Sequence, residues 1–100
     1  MDVTILHEGS KTLVRLQGRI DTSNAEQFQN DIKPLMDEDK PDIDIDCEGM
    51  TYTSSQGLRV FLMLQKNVMQ HEGKMVMRNM NPLVKEVFDI TGFSNIITIV

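Results

Sequence analysis

Two adjacent serines, Ser54 and Ser55, stand in front of an apolar run with helical spacing. A hydroxyl there has two uses: it can cap the helix by accepting a hydrogen bond from an unpaired N–H group, or it can be a chemical target. Catalysis by a serine nucleophile needs a general base that is oriented by an acid. The only histidines, His7 and His71, fall in a predicted strand and at a predicted helix exit. The glycine that a nucleophile elbow places two residues before its serine is also missing, so we expect no enzymatic activity.

Three aspartates in the stretch DIDID are the second candidate for chemistry. Carboxylates are the ligands that Mg²⁺ and Ca²⁺ prefer. In a strand, however, side chains on one face are spaced by roughly 6–7 Å, too far apart to converge on one ion. We therefore expect a solvated strand face and no metal site, and the lack of a glycine-rich phosphate loop predicts no bound nucleotide or other cofactor. The three residues are Asp42, Asp44 and Asp46.

The helix after Ser55 has two apolar stripes at 100° per residue. The broader stripe predicts the core face and consists of Leu58, Phe61, Leu62, Gln65, Val68 and Met69. The second stripe, here called the docking strip, consists of Gln56, Arg59, Val60 and Met63. Two interpretations stay open. The docking strip packs beneath a neighbouring helix, or it is an exposed surface with a basic flank on which methionine adapts to a partner.

Changes of hydrophobic period predict the elements that position these residues. Two β-rich runs around residues 9–10 predict a hairpin. Residues 21–36 then take helical spacing, with Ser23 and Glu26 matching a capping box and Pro34 marking a late kink or stop. This is the first predicted helix.

The second half of the chain continues to alternate strands and helices. Residues 41–49 alternate as a strand with one buried face, and the helix after the serines runs for about four turns, with Gly73 predicted at the C′ position. A short strand follows, then a helix capped by Asn81, then a strand over residues 95–100. The order ββαβαβαβ predicts an α/β layer fold with about three main helices, a mostly parallel sheet and an N-terminal antiparallel hairpin.

Composition bounds the function further. With 100 residues, 40% of them hydrophobic and 25% charged, the chain is expected to form one domain over residues 1–100. The net charge of −5 and the lack of a basic cluster argue against nucleic acid as a partner and favour proteins. No apolar run reaches the length of a membrane span or a signal peptide, so we expect a cytoplasmic protein without membrane insertion. Cys47 is expected to be a small buried core residue.

The chain resembles the STAS domain of bacterial anti-sigma-factor antagonists over nearly its whole length. In that family, the serine two positions before a helix glycine is phosphorylated by a kinase that doubles as the anti-sigma factor. The resemblance makes Ser55 the phospho-acceptor, since Gly57 is the glycine and Gln56 the intervening residue. Many antagonists have an aspartate where this chain has Ser54, which becomes a minor alternative acceptor. The stretches that carry the resemblance are VRLQGRIDTSNAEQF, DIDCEGMTYTSSQGLRVFLMLQK and NPLVKEVFDITGF.

The turn Gly18-Arg19-Ile20-Asp21 also matches a turn of that family, in which the aspartate lies near the acceptor serine. Asp21 is therefore carried over as a partner-binding residue, together with Ser54, Gln56, Gly57 and the rest of the docking strip. The alternative for Asp21 is that it helps to start the first helix.

The resemblance implies partner switching. The unphosphorylated protein binds the anti-sigma factor, phosphorylation by that factor releases it, and an opposing phosphatase resets it. The runner-up is a small STAS subunit of a lipid-transport complex, which binds its partner without phosphorylation.

Overall fold

A β-hairpin opens the fold, as the sequence predicts. In the computed structural model, which describes residues 1–100, strand β1 (Asp2–Glu8) pairs antiparallel with β2 (Lys11–Ile20). The turn places Gly9 at a φ of 62°, a left-handed conformation that glycine adopts without strain. The hairpin forms one edge of the sheet, and the carboxyl end of β2 reaches the region of the two serines.

Three further strands lie parallel to β2, because each is reached through a helical crossover. They are β3 (Asp42–Thr53), β4 (Lys74–Arg78) and β5 (Thr98–Ile99), and the order across the sheet is β1-β2-β3-β4-β5. The predicted order ββαβαβαβ is confirmed. Strand β5 is shorter than predicted because a 3₁₀ turn occupies Phe93–Asn95 just before it.

The helices are α1 (Ala25–Asp31), α2 (Ser55–Gln70) and α3 (Pro82–Ile90). All three cover the same face of the sheet, and each contributes one phenylalanine to the core. The ring centroids of Phe28 and Phe61 are 5.2 Å apart and those of Phe61 and Phe88 are 5.9 Å apart, so α2 lies between α1 and α3. None of the helices combines the length and the apolar character needed to cross a lipid bilayer.

Alternate residues of the central strands face the helices and form the floor of the core. They include Val14, Leu16, Ile43, Ile45, Met75 and Met77. The prediction that Cys47 is a core residue is confirmed: its side chain is 0% exposed, and burial raises the pKa of its thiol to about 12.

The aspartates of DIDID lie on the opposite face of the sheet, which no helix covers. Arg78 Nε is 2.6 Å from Asp44 Oδ2, and Arg15 Nε is 3.8 Å from Asp46 Oδ2. The pKa of Asp46 is lowered, chiefly by the hydrogen bond that the Glu48 amide donates to its carboxylate. This face is thus an ion-paired surface rather than the purely solvated one that the sequence predicts.

The start of α1 differs from the prediction. The capping box of Ser23 and Glu26 does not form, since Asn24 occupies the N-cap position and its side chain makes no capping bond. Instead, Asn24 Nδ2 donates to the carbonyl of Arg19 at 2.8 Å and Asn24 Oδ1 accepts from the amide of Asp21 at 2.8 Å. The residue therefore ties the helix start to the preceding turn.

The ends of α1 and α2 also differ from the sequence prediction. Pro34 lies in a 3₁₀ turn, Lys33–Leu35, that follows the end of α1. At the end of α2 the left-handed C′ residue is Glu72, with a φ of 58°, so the assignment of Gly73 to C′ is wrong. Gly73 is one residue later, where its amide bonds the Val68 carbonyl at 2.9 Å and a side chain would collide with Pro41.

Candidate functional site

The two serines have different roles at the start of α2. Ser54 is the N-cap residue, and its Oγ accepts a hydrogen bond from the Gly57 amide at 3.3 Å. Ser55 is the first helical residue; it is exposed, and its hydroxyl donates to Gln56 Oε1 at 3.3 Å. The capping function therefore belongs to Ser54, and the Ser55 hydroxyl is accessible from solvent.

A close contact between α2 and the end of β2 holds this corner in place. The Ser54 amide donates to the carbonyl of Ile20 at 2.8 Å. A Cβ atom at position 57 would collide with Thr53 Oγ1 and lie 2.9 Å from Ile20 Cγ2. Gly57 is thus required by packing. It is buried within the first turn of α2. Its contact with a partner stays a prediction.

Asp21 follows Ile20 directly and therefore lies beside this corner. Its carboxylate accepts hydrogen bonds from the Ser23 hydroxyl at 2.5 Å and the Ser23 amide at 2.9 Å, and Arg19 Nε lies 3.3 Å from it. These hydrogen bonds, with a smaller contribution from Arg19, lower the pKa of Asp21. Its backbone carbonyl accepts from the amide of Ala25, so Asp21 does help to start α1.

The start of α2 favours an anion and has no catalytic base. Its first turn carries no acidic residue, and the unpaired N–H groups there present the positive end of the helix dipole. Both histidines are engaged elsewhere: His7 Nδ1 lies 3.3 Å from Thr12 Oγ1, and His71 Nδ1 lies 2.8 Å from the Asn67 carbonyl. The hydroxyl of Ser55 can therefore receive a group from a partner enzyme, but no neighbouring side chain activates it.

The four residues of the docking strip differ in how far they are buried. Gln56, Arg59 and Met63 border a groove of about 340 Å³ between α1 and α2, and Gln29 Nε2 lies 3.8 Å from Met63 Sδ. Val60 also lines this groove, but it is only 5% exposed and belongs to the core, so the expectation that it is exposed is wrong. Its contact with a partner stays a prediction. The interpretation that the strip packs inward thus holds for Val60, whereas Arg59 is exposed. The interpretation of the strip as a docking surface stays a prediction.

The core face of α2 is rotated from its predicted position. Leu62 is half-buried and Met69 is 61% exposed, whereas Leu64 joins Val60 in the core. The cause is the position of α2 between two helices, which buries a wider arc toward Val60 than an edge helix would bury.

Sequence reasoning did not single out the pair Arg19 and Tyr52. The guanidinium carbon of Arg19 lies 4.9 Å from the centroid of the Tyr52 ring, across neighbouring strands β2 and β3. Tyr52, the only tyrosine, is 45% exposed two residues before Ser54. The sequence signal that could have identified this pair is the aromatic residue two positions before Ser54.

The fold and this corner define a class: a mostly parallel sheet with helices on one face, and an exposed serine on the first turn of its central helix. The sequence profile of the STAS domain family matches residues 3–100. The chain belongs to the STAS domain family and groups there with the anti-sigma factor antagonists, as the resemblance predicted.

Two relatives and one solved structure illustrate this similarity. BtrV of Bordetella bronchiseptica, named as an anti-sigma factor antagonist, is 37% identical over 81 residues, which are 81% of this chain and 70% of BtrV. The anti-sigma-B factor antagonist of Bacillus subtilis is 29% identical over 99 residues, covering 99% of this chain and 90% of that protein. The structure of the Bacillus cell fate determinant SpoIIAA in its phosphorylated form has the same fold, with a TM-score of 0.73 at 18% identity, covering 99% of this chain and 91% of SpoIIAA.

Proposed function

We propose that this chain is a cytoplasmic anti-sigma factor antagonist that works by partner switching, with Ser55 as its phospho-acceptor. The observation that carries the proposal is that the two serines have different roles. Ser54 makes the capping bond, which leaves the Ser55 hydroxyl exposed at the positive end of α2 and next to the docking strip. The names of the two relatives and the phosphorylated form of SpoIIAA support the same reading.

The chain acts as substrate and ligand, and the chemistry belongs to the partner kinase. A bond forms between Ser55 Oγ and the γ-phosphorus of ATP as the bond from that phosphorus to ADP breaks, and the hydroxyl proton passes to a base of the kinase. The opposing phosphatase hydrolyses the same ester. Asp21 and Ser54 flank the acceptor and are proposed to contact the kinase.

A phosphate on Ser55 would suit the domain itself. It carries a charge of roughly −2 and would stand at a helix N-terminus, where an anion is stabilised. The effect of phosphorylation therefore falls on the partner. Added charge and bulk at the end of the docking strip oppose docking through repulsion and desolvation, and a loss of about 2–3 kcal/mol weakens binding by about a hundredfold.

The decisive experiment captures the partner. The tagged chain is incubated with lysate of the source organism, and bound proteins and phosphosites are identified by mass spectrometry. We expect a small histidine-kinase-like ATPase and phosphate on Ser55. Recovery of a membrane transport ATPase without phosphoserine would instead favour the lipid-transport subunit.

Purified partner then allows a variant series at the acceptor. We expect Ser55→Asp to bind about a hundredfold more weakly than the parent, and Ser55→Ala to bind normally but to resist release by ATP. Ser10→Asp is the matched control, because Ser10 is exposed in the hairpin turn far along the chain from α2. Equal losses for Ser55→Asp and Ser10→Asp would show that only net charge matters and would contradict the proposal.

The docking strip is tested by Met63→Asp, which places a charge in the proposed apolar contact. Met69→Asp is its control, because Met69 is on the same helix, is 61% exposed and does not line the groove beside the strip. We expect only Met63→Asp to weaken partner binding. Leu58→Asp serves as the unfolding control, since Leu58 is 3% exposed.

A further inference from the structure

The positive charges of the chain are unevenly paired. Of its 10 lysine and arginine side chains, six form ion pairs with carboxylates, and Lys33, Lys40, Arg59 and Lys66 form none. In a chain with 15 acidic residues, unpaired cations are conspicuous. Arg59 and Lys66 also line the same groove on α2, of about 480 Å³. These two residues are seven positions apart on one helix face, a rise of about 10.5 Å.

The groove between these cations has an apolar floor. Met36, Leu62 and Met63 line it, and Met63 follows Arg59 by one turn and precedes Lys66 by another. The groove also has one carboxylate, Asp37, whose Oδ1 accepts from Asn67 Nδ2 at 3.1 Å and lies 3.8 Å from His71 Nε2. The two cations outnumber this carboxylate, so the side chains that line this groove have an excess of positive charge.

This groove of about 480 Å³, here called the lower groove, adjoins the groove of about 340 Å³ between α1 and α2, here called the upper groove, because Arg59 and Met63 line both. The upper groove has one carboxylate, Glu26, on the α1 side. Together the two grooves extend along α2 from Gln56 to Gln70, a length of about 21 Å, which matches about four turns of a bound helix.

Ser55 lies on the same line of the helix as these cations. Arg59 is four residues after it, so the two side chains are neighbours on the surface of α2. A phosphate on Ser55 would thus stand one turn from a guanidinium that has no other partner, and phosphate with arginine makes a strong charge-assisted pair.

We propose that these two adjoining grooves bind an acidic amphipathic helix of the partner, and that Arg59 is the residue through which a phosphate on Ser55 releases it. Two carboxylates of the partner helix, two turns apart, pair with Arg59 and Lys66, and an apolar side chain between them packs on Met63. The phosphate then takes Arg59 as its own partner and repels the nearest carboxylate. The assignment rests on the proposed function for the identity of the partner and for the modification.

The experiment uses the isolated full chain, isotope-labelled for NMR, and two synthetic helical peptides of about 18 residues. Both peptides have the same leucine face; one carries glutamates two turns apart beside it and the other carries lysines there. We expect the acidic peptide to bind at least about tenfold more tightly and to shift the amide signals of Arg59, Met63 and Lys66. Equal affinities, no binding, or shifts confined to another face would overturn the groove assignment.

Charge reversal in the chain tests the same contact from the other side. Lys66→Glu is expected to weaken the acidic peptide by at least about tenfold. Lys33→Glu is the matched control, because Lys33 is also exposed and unpaired but lies outside both grooves. A similar loss in both variants would show that the peptide responds to net charge alone, which would overturn the assignment.

The role of Arg59 is tested by a cycle with phosphoserine at position 55. Phosphoserine is expected to weaken the acidic peptide at least about tenfold in the parent chain, and clearly less in an Arg59→Gln chain. Equal effects in the two chains would overturn the part assigned to Arg59. These peptide measurements need no anti-sigma factor. If the acidic peptide binds as expected but no anti-sigma factor is captured, the proposed function fails and the groove assignment stands; the reverse result rejects only the groove assignment.

Discussion

The N-termini of α2 and α3 are built in the same way. In α2, Ser54 Oγ accepts from the Gly57 amide at 3.3 Å, and in α3, Asn81 Oδ1 accepts from the Val84 amide at 2.9 Å. Both capping residues are extended, and both bond the amide three positions later. Unpaired N–H groups at the start of α2 and of α3 are thus satisfied by the same type of side-chain cap.

The two termini differ at the residues inside this cap. The first helical residue is Ser55 in α2 and Pro82 in α3. Proline suits this position but presents no group that can be modified, whereas Ser55 presents a hydroxyl. The third helical residue is Gly57 in α2, where a Cβ atom would meet Thr53 and Ile20 at the ends of two strands, and the buried Val84 in α3. The cap provides stability, and the positions inside it are free to differ in function.

The largest effect on stability is expected when Gly57, the third residue of α2, is replaced by valine, the residue type at the third position of α3. Gly57→Val would place side-chain atoms on Thr53 and Ile20, and overpacking of this kind costs about 1–3 kcal/mol or more. Urea denaturation measures the loss. Gln56→Ala is the neighbouring control and should change stability by less than about 0.5 kcal/mol. A harmless Gly57→Val would mean that the corner is looser than its geometry implies.

Removal of the two caps should give an intermediate effect of unequal size. Ser54→Ala is expected to cost about 1 kcal/mol and Asn81→Ala up to about 2 kcal/mol, because Asn81 also donates to the Met50 carbonyl at 3.0 Å. The free energy of unfolding of each variant decides this. Ser55→Ala should be nearly neutral; if it costs as much as Ser54→Ala, the two serines do not have separate roles.

A negative charge at the first helical position of α2 should have a small effect on stability. Ser55→Asp is expected to change it by less than about 1 kcal/mol, with a favourable sign, because the helix dipole stabilises an anion there. The thermal midpoint should stay within a few degrees of the parent. A much lower midpoint would assign Ser55 a structural role and would weaken the proposal of a switch at this residue.

The smallest effect on stability is expected at the start of α1, which has no side-chain cap. The Ser23 hydroxyl and amide lower the pKa of Asp21, so Ser23→Ala should raise that pKa toward the usual aspartate value in an NMR titration. Since the folded pKa lies below the unfolded one, the stabilising effect is present at neutral pH and is lost as the pH falls through the folded pKa. An unchanged pKa in Ser23→Ala would leave the Ser23 amide, which this variant keeps, as the main cause.

Local patterns in the sequence were sufficient for most of the fold. The alternation of Ile43, Ile45 and Cys47 with aspartates predicted the first part of β3 and its buried face correctly, because the period of a strand is visible in a few residues. The strand continues beyond the predicted residues 41–49 to Thr53. Asn81 and Pro82 likewise predicted the start of α3, because capping depends on neighbours in the chain.

Features that depend on distant residues could not be predicted in this way. The burial of Val60 and the only partial burial of Leu62 follow from the rotation of α2 between two other helices, which no local pattern records. The groove on α2 could not be predicted either. Arg59 and Lys66 form no ion pair, and this depends on where every carboxylate of the folded chain lies.

The buried state of Cys47 has a practical consequence for measuring these effects. Burial raises the pKa of the thiol to about 12, so the thiol is protonated at neutral pH, and its sulfur is closed off from solvent. A maleimide dye would therefore leave the parent protein unlabelled. A cysteine introduced on the exposed surface would carry the only fluorophore, so partner binding and release could be followed optically without first removing the native residue.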